Sequence, residues 1–148
     1  MYAVIDMPRL PDPETQPEFY AGTTTKRALA WVIDVIILGA LTALASVLTL
    51  GVGLFFLPVV YVTLSFLYRV VTLAGGSATL GMRVMNIGFL TRNGDRFDLA
   101  HALLHTIGYT LSIGTLLVQL LSIALMLTSA RGQGLTDHVL GTVVINRP

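Results

Sequence analysis

The chain has no cysteine, so it can build neither a disulfide nor a thiolate metal site, and nothing follows about its redox compartment. Charge is the second scarcity. Asp, Glu, Lys and Arg make up 11% of the 148 residues, against about 25% in a soluble domain that must dress its surface. Hydrophobic residues reach 54%, so lipid is the expected solvent for most of the exterior. The first residues lack an apolar run long enough for a signal-peptide core. They carry instead Asp6, Asp12, Glu14 and Glu18 among Pro8, Pro11, Pro13 and Pro17. This composition predicts an extended, mostly irregular N-terminal tail over residues 1–22, followed by a single domain over 23–148.

The remaining absences concern chemistry. No nucleophile stands beside a base in a recognisable pattern, and no basic stripe suggests nucleic acid. The stretch from Gly75 to Gly81 is rich in glycine but lacks the Lys-Ser/Thr ending of a phosphate-cradling loop. The chain is therefore expected not to be an enzyme, to use no cofactor and to bind no nucleic acid.

Where the few charges fall predicts the architecture. None lies between Asp34 and Arg69, and none between Asp98 and Arg131. A helix of about 20 apolar residues spans a bilayer. The first uncharged stretch, extended back to Ala28, is long enough for two crossings, roughly Ala28–Leu50 and Val52–Ala74. Gly51 and Gly53 suit the hairpin between them. Pro58 is expected to kink the second crossing, and Arg69 near its end to snorkel. The second uncharged stretch, 99–130, would make a helix of about 48 Å against a hydrocarbon core of about 30 Å. It either crosses once after a surface segment or folds back near Ser112-Ile113-Gly114-Thr115. An even number of crossings keeps all three blocks of Lys and Arg on the cytoplasmic side, which favours the fold-back.

Between these stretches, Met82–Leu90 and the Asn93-Gly94 turn predict a β-hairpin, with Gly141–Asn146 able to add a strand. The fold class is thus an all-α integral membrane helical bundle of three or four membrane segments. It carries a small cytoplasmic β-hairpin or three-stranded sheet. The expected location is the bacterial cytoplasmic (inner) membrane with the N-terminus cytoplasmic.

The polar residues inside this apolar frame are the candidate site. Arg27 and Asp34 lie seven residues apart, about two turns, on nearly one helical face. An aspartate in an apolar helix costs on the order of 2.5–3.5 kcal/mol to insert and needs protein, water or a partner charge around it. Asp34 is either a protonatable or cation-binding carboxylate, or one half of a structural ion pair with Arg27 or another basic residue. Arg27 also suits a lipid-phosphate anchor, with Trp31 in an interfacial belt. Asp137, in the turn Arg131–His138, is placed to reach Arg27, Arg83 or a backbone amide. His101 and His105 share a helical face at a metal-binding spacing, without a visible third ligand.

An arginine opening the first apolar helix, an aspartate within it and a second aspartate after the last helix together resemble the RDD family. The matching positions are Arg27, Asp34 and Asp137. The resemblance extends to Ser77–Arg83, to Asn93-Gly94 and to Leu135–Val144, covering roughly residues 20–146. Two positions depart from the family pattern: Met82-Arg83 where members often carry Lys, and His105 where many carry Arg. The resemblance implies an integral membrane protein, suggested to act in transport, with some members linked to cation–proton exchange. Two functions follow as expectations. One is transport with Asp34 as the exchanging group. The other is an accessory or scaffold subunit packed against a larger membrane complex. The expected partners are the lipid bilayer and either further copies of the chain or that complex.

Overall fold

The computed structural model describes residues 10–147. Its helices are α1 (Thr23–Leu48), α2 (Val52–Phe55), α3 (Leu57–Gly76), α4 (Leu80–Val84), α5 (Leu99–Ile113), α6 (Leu116–Thr128) and α7 (Leu135–Leu140). Two short strands, β1 (Ile87–Leu90) and β2 (Val143–Asn146), complete it. The first nine residues of the expected tail lie outside the described residues. The rest of the tail is irregular apart from one 3-10 turn, Pro17–Phe19, and the Tyr20 hydroxyl donates to the Pro11 carbonyl at 2.7 Å.

Helix α1 is polar inside and apolar outside. Its buried residues include Ala30, Asp34, Leu38, Thr42 and Ser46, spaced four apart, while Ile36, Leu44, Val47 and Leu48 are exposed. That is the reverse of a soluble amphipathic helix. Small residues on the inner face let neighbouring helices approach closely. The Thr42 and Ser46 hydroxyls donate to the carbonyls four residues earlier, at 2.7 and 2.9 Å, so neither needs water. Two helical stretches, Pro17–Leu48 and Leu57–Gly76, are long and apolar enough to cross a membrane.

Between α1 and α3 the chain turns through Leu50 and Gly51, both with positive φ. Pro58 sits in the first turn of α3, where no helical N–H is required of it. The expected kink is therefore absent, because α2 ends at Phe55 and α3 starts afresh at Leu57.

The third apolar stretch is broken. Helices α5 and α6 are bent by 116° at Gly114-Thr115. At 15 and 13 residues they are about 22 and 20 Å long. Both outer ends meet the first turns of α1. Thr24 Oγ1 donates to the Met126 carbonyl near the end of α6 at 3.4 Å. His105 on the second turn of α5 shares Asp137 with Arg27. The chain therefore enters and leaves this pair at the same end of the bundle, as a fold-back.

That end also holds the best-packed apolar core. Leu73, Ala78, Met82, Ile87, Phe89, Phe97, Ala102 and Val144 close around Ala30. The expected hairpin does not form. Asn93-Gly94 does turn, with Thr91 N–H donating to the Asp95 carbonyl at 2.8 Å, but the chain beyond it pairs with no strand. Phe97 stacks on Phe89 at 4.8 Å and donates its amide to the Ser77 hydroxyl, which carries the chain into α5. β1 pairs instead with β2, antiparallel, Ile87 opposite Asn146 and Leu90 opposite Val143. The sheet among the described residues has two strands, not three.

Candidate functional site

Asp34 is 5% exposed and holds α1 against α3 and α4. One carboxylate oxygen accepts from the Tyr68 hydroxyl at 2.6 Å and from Gly81 N–H at 2.9 Å; the other accepts from the Thr79 hydroxyl at 2.6 Å. Thr79 also caps α4, accepting from Met82 N–H at 3.3 Å. Glycine at position 81 permits this approach. A Cβ there would run into the Ala30 carbonyl and sit 2.8 Å from Asp34 Oδ1. The expected ion pair with Arg27 is not formed, and no salt bridge to Asp34 exists among the described residues. Three neutral donors on α3 and α4 surround the carboxylate, while Arg27 is engaged elsewhere.

Arg27 pairs with Asp137 at 2.7 Å and also donates to the Gly132 carbonyl at 3.3 Å. Its guanidinium lies 5.5 Å from the centroid of the Phe89 ring. Asp137, 1% exposed, collects four donors. Oδ2 takes Arg27 and Gly134 N–H (3.1 Å); Oδ1 takes the Thr142 hydroxyl (2.8 Å) and lies 3.0 Å from His105 Nε2. Burial by itself would raise the Asp137 pKa. The Arg27 charge and the hydrogen bond from His105 outweigh it and hold the carboxyl well below the usual range. The first helix, the fifth helix and the C-terminal turn are thereby locked through one side chain.

His105 is buried and makes a contact with Asp137. His101 does not join it. Its backbone amide and Nδ1 both lie 2.8 Å from Asp98 Oδ1 at the start of α5, and these contacts lower the Asp98 pKa. The two histidines thus serve different carboxylates. No group of three metal-ligating side chains exists among the described residues. Arg83 also stands apart, donating to the carbonyls of Ala78 and Thr72 at 3.1 Å each.

A chamber of about 460 Å3 joins these sites. Arg27, Asp34, Arg69, His105, Tyr109 and Asp137 all line it, against a wall that includes Ile113, Ile123 and Met126. The snorkelling expected of Arg69 is overturned: the residue is 8% exposed and turned inward, its guanidinium 3.8 Å from the centre of the Tyr109 ring. Stacking on Tyr109 gives the cation a home that the sequence did not reveal. Tyr109 is fixed in turn by Trp31, whose indole N–H donates to its hydroxyl at 3.0 Å. Tyr68, Thr79, Tyr109 and Thr142 were not legible as site residues, because hydroxyl groups are common in apolar helices and no spacing marks them.

Chemically, the site is a chamber with a mostly apolar wall and a few ionisable groups. One aspartate is held by neutral donors, the other by Arg27 together with His105, Thr142 and a backbone amide. Arg69 pairs with no carboxylate among the described residues. No curated protein and no solved structure matches the chain. The sequence model of the RDD family matches residues 21–141, which include Arg27, Asp34 and Asp137. The chain belongs to the RDD family.

Proposed function

We propose that this chain is an integral protein of the bacterial cytoplasmic membrane, that its N-terminus, sheet and C-terminus face the cytoplasm, and that its chamber serves the transport of a small solute. The observation that carries this reading is the chamber of about 460 Å3, lined by five ionisable groups other than tyrosine, inside a bundle whose outer surface is apolar. Ionisable groups at such depth are expensive, and in membrane proteins they commonly mark solute or proton pathways. All the described Lys and Arg residues belong to segments at the end where α1 begins and α6 ends, which supports a cytoplasmic assignment for that end.

Cation–proton exchange at Asp34 is the narrower form of the reading. A cation at that carboxylate needs oxygen lone pairs, so Tyr68 and Thr79 would have to rotate their hydroxyl hydrogens away. Gly81 N–H offers none in any rotamer. The geometry therefore favours Asp34 as a fixed tie between helices, with the solute held by other groups of the chamber.

Proteoliposomes loaded with a pH-sensitive dye test the reading under gradients of Na+, K+ and octanoate. The expected result is gradient-driven proton movement in the wild type beyond that of protein-free liposomes, an excess that Ile123→Phe, which fills the chamber, abolishes. Folded protein that moves no more protons than protein-free liposomes under any of the three gradients overturns the transport reading.

A second reading, an accessory subunit, draws on α6. Leu116, Leu117, Leu120, Leu121 and Leu127 are exposed on a helix of about 20 Å, too short to reach across a core of about 30 Å. A second chain covering that face would complete the layer. Mass spectrometry from mild detergent tests this: a chain with no other protein bound, whether alone or as a homo-oligomer, overturns it.

A further inference from the structure

Of the chamber groups, His105 leaves Nδ1 and Arg69 leaves Nε buried without a partner among the described residues, and Arg69 is the cation of the two. None of its guanidinium nitrogens donates to a protein acceptor among the described residues. No carboxylate pairs with it either: Asp137 is taken by Arg27 and His105, and both oxygens of Asp34 are taken by Tyr68, Thr79 and Gly81. A buried cation left in this state is costly; the Tyr109 ring covers one face of it, 3.8 Å from Cζ, so a chamber ligand would bond at the in-plane nitrogen edge. That edge presents paired N–H groups in the fork that matches a carboxylate or phosphate.

The rest of the chamber selects what the oxyanion is attached to. Most of its wall is apolar, with Ala28, Met82, Ile113, Ile123 and Met126 around the polar groups. A volume of about 460 Å3 exceeds what a bare inorganic anion fills and lies in the range that holds a small organic ligand. Building on the solute-binding reading above, we propose that Arg69 binds the oxyanion head of a small amphipathic acid, with Tyr109 positioning the guanidinium and the apolar wall taking the ligand's body. The shared chemistry is an oxyanion on an apolar body. It reaches the chamber either from water, as a medium-chain carboxylate, or from the bilayer, as a phospholipid headgroup.

Trp31 is the only tryptophan, lines the chamber and bonds to Tyr109, so its fluorescence reports occupancy. The full-length protein in phosphatidylcholine nanodiscs is titrated with octanoate, with inorganic phosphate, and with phosphatidylglycerol replacing part of the lipid. A saturable change in Trp31 emission with octanoate assigns the aqueous source, and one with phosphatidylglycerol the bilayer source. Inorganic phosphate, lacking an apolar body, is expected to respond weakly. Arg69→Met weakens the responsive probe by at least about tenfold, and Arg69→Lys, which keeps the charge but not the fork, by less.

No saturable response to any of the three probes overturns the proposal and leaves Arg69 solvated by water only; so does an Arg69→Met titration equal to wild type. Should Arg69→Met fail to fold, Ile123→Phe keeps the arginine and fills the space, and unchanged binding in that variant overturns the proposal as well. Saturable, Arg69-dependent binding without flux supports this site and overturns only the transport reading. Flux that persists in Arg69→Met with an unchanged Trp31 titration does the reverse.

Discussion

At the scale of single residues, the two aspartates are held by different chemistry and respond differently to change. Asp137 is buried between Arg27 and His105, and removing one partner of a buried pair strands the other charge. Asp137→Ala is expected to cost on the order of 3–5 kcal/mol in a detergent unfolding experiment. Arg27→Met should not add a comparable further loss when combined with it, since the pair is already broken. A double variant whose loss equals the sum of the singles would show that the two side chains do not act together. The pH dependence follows from the same contacts. The Asp137 carboxyl is depressed in the folded state, so the unfolded chain takes up the proton first as pH falls. Its contribution is complete above the unfolded value of about 3.9 and is lost below it. The difference in unfolding midpoint between wild type and Asp137→Asn should accordingly be constant above about pH 5 and shrink below about pH 4. A difference that instead grew on acidification would mean the carboxyl is raised.

The sequence singled out Arg27, Asp34 and Asp137 because charge is rare in this chain and each stands at the edge of, or inside, an apolar run. It could not say who pairs with whom. Arg27 and Asp34 share a face of α1, yet their partners come from residues 34 to 110 positions away, and only the folded chain brings those near. Arg69 was misread for a related reason. One turn or two from a helix end suits snorkelling, and nothing local announces that Tyr109 on α5 will offer its ring.

Among the elements, α4 has only five residues, yet it positions Asp34. Its Gly81 amide reaches the carboxylate only because no side chain intervenes. Gly81→Ala forces Cβ into the α1 backbone at Ala30, which should push the two helices apart at a cost of about 1–3 kcal/mol. Thr79→Ala removes one hydrogen bond without moving the backbone, and about 0.5–1.5 kcal/mol is expected. Melting of the two variants in one detergent checks the order; Thr79→Ala proving the more damaging would place the weight on the hydroxyl. Helix existence was readable from the uncharged runs, whose ends fall within a few residues of α1 and α3. The Asn93-Gly94 turn was readable too, but not its consequence. Turn chemistry is local, whereas the choice of β2 as partner for β1 is set by Phe97 stacking on Phe89 and by the C-terminal chain returning to the same end.

For the whole molecule, charge economy and topology are one problem. Arg27 and Asp137 are 110 positions apart, and they meet because α5 and α6 return the chain to the end where α1 begins. A continuous helix through residues 99–130 would have carried Asp137 to the opposite end. The charge pattern in the sequence pointed to the fold-back, and the 116° bend supplies it. Two helices of about 20 Å are shorter than a hydrocarbon core of about 30 Å, so in the proposed membrane setting their shared tip would end inside the core or against another chain.

The most direct test uses the absence of native cysteine. Leu50→Cys lies at the exposed tip between α1 and α2, and Val139→Cys on the exposed face of α7. With a membrane-impermeant maleimide, intact cells should label Leu50→Cys and spare Val139→Cys, and inverted vesicles should give the opposite pattern. Labelling of both positions from the same side would contradict the account, because Asp137 and Arg27 could not then meet across a fold-back on the cytoplasmic face.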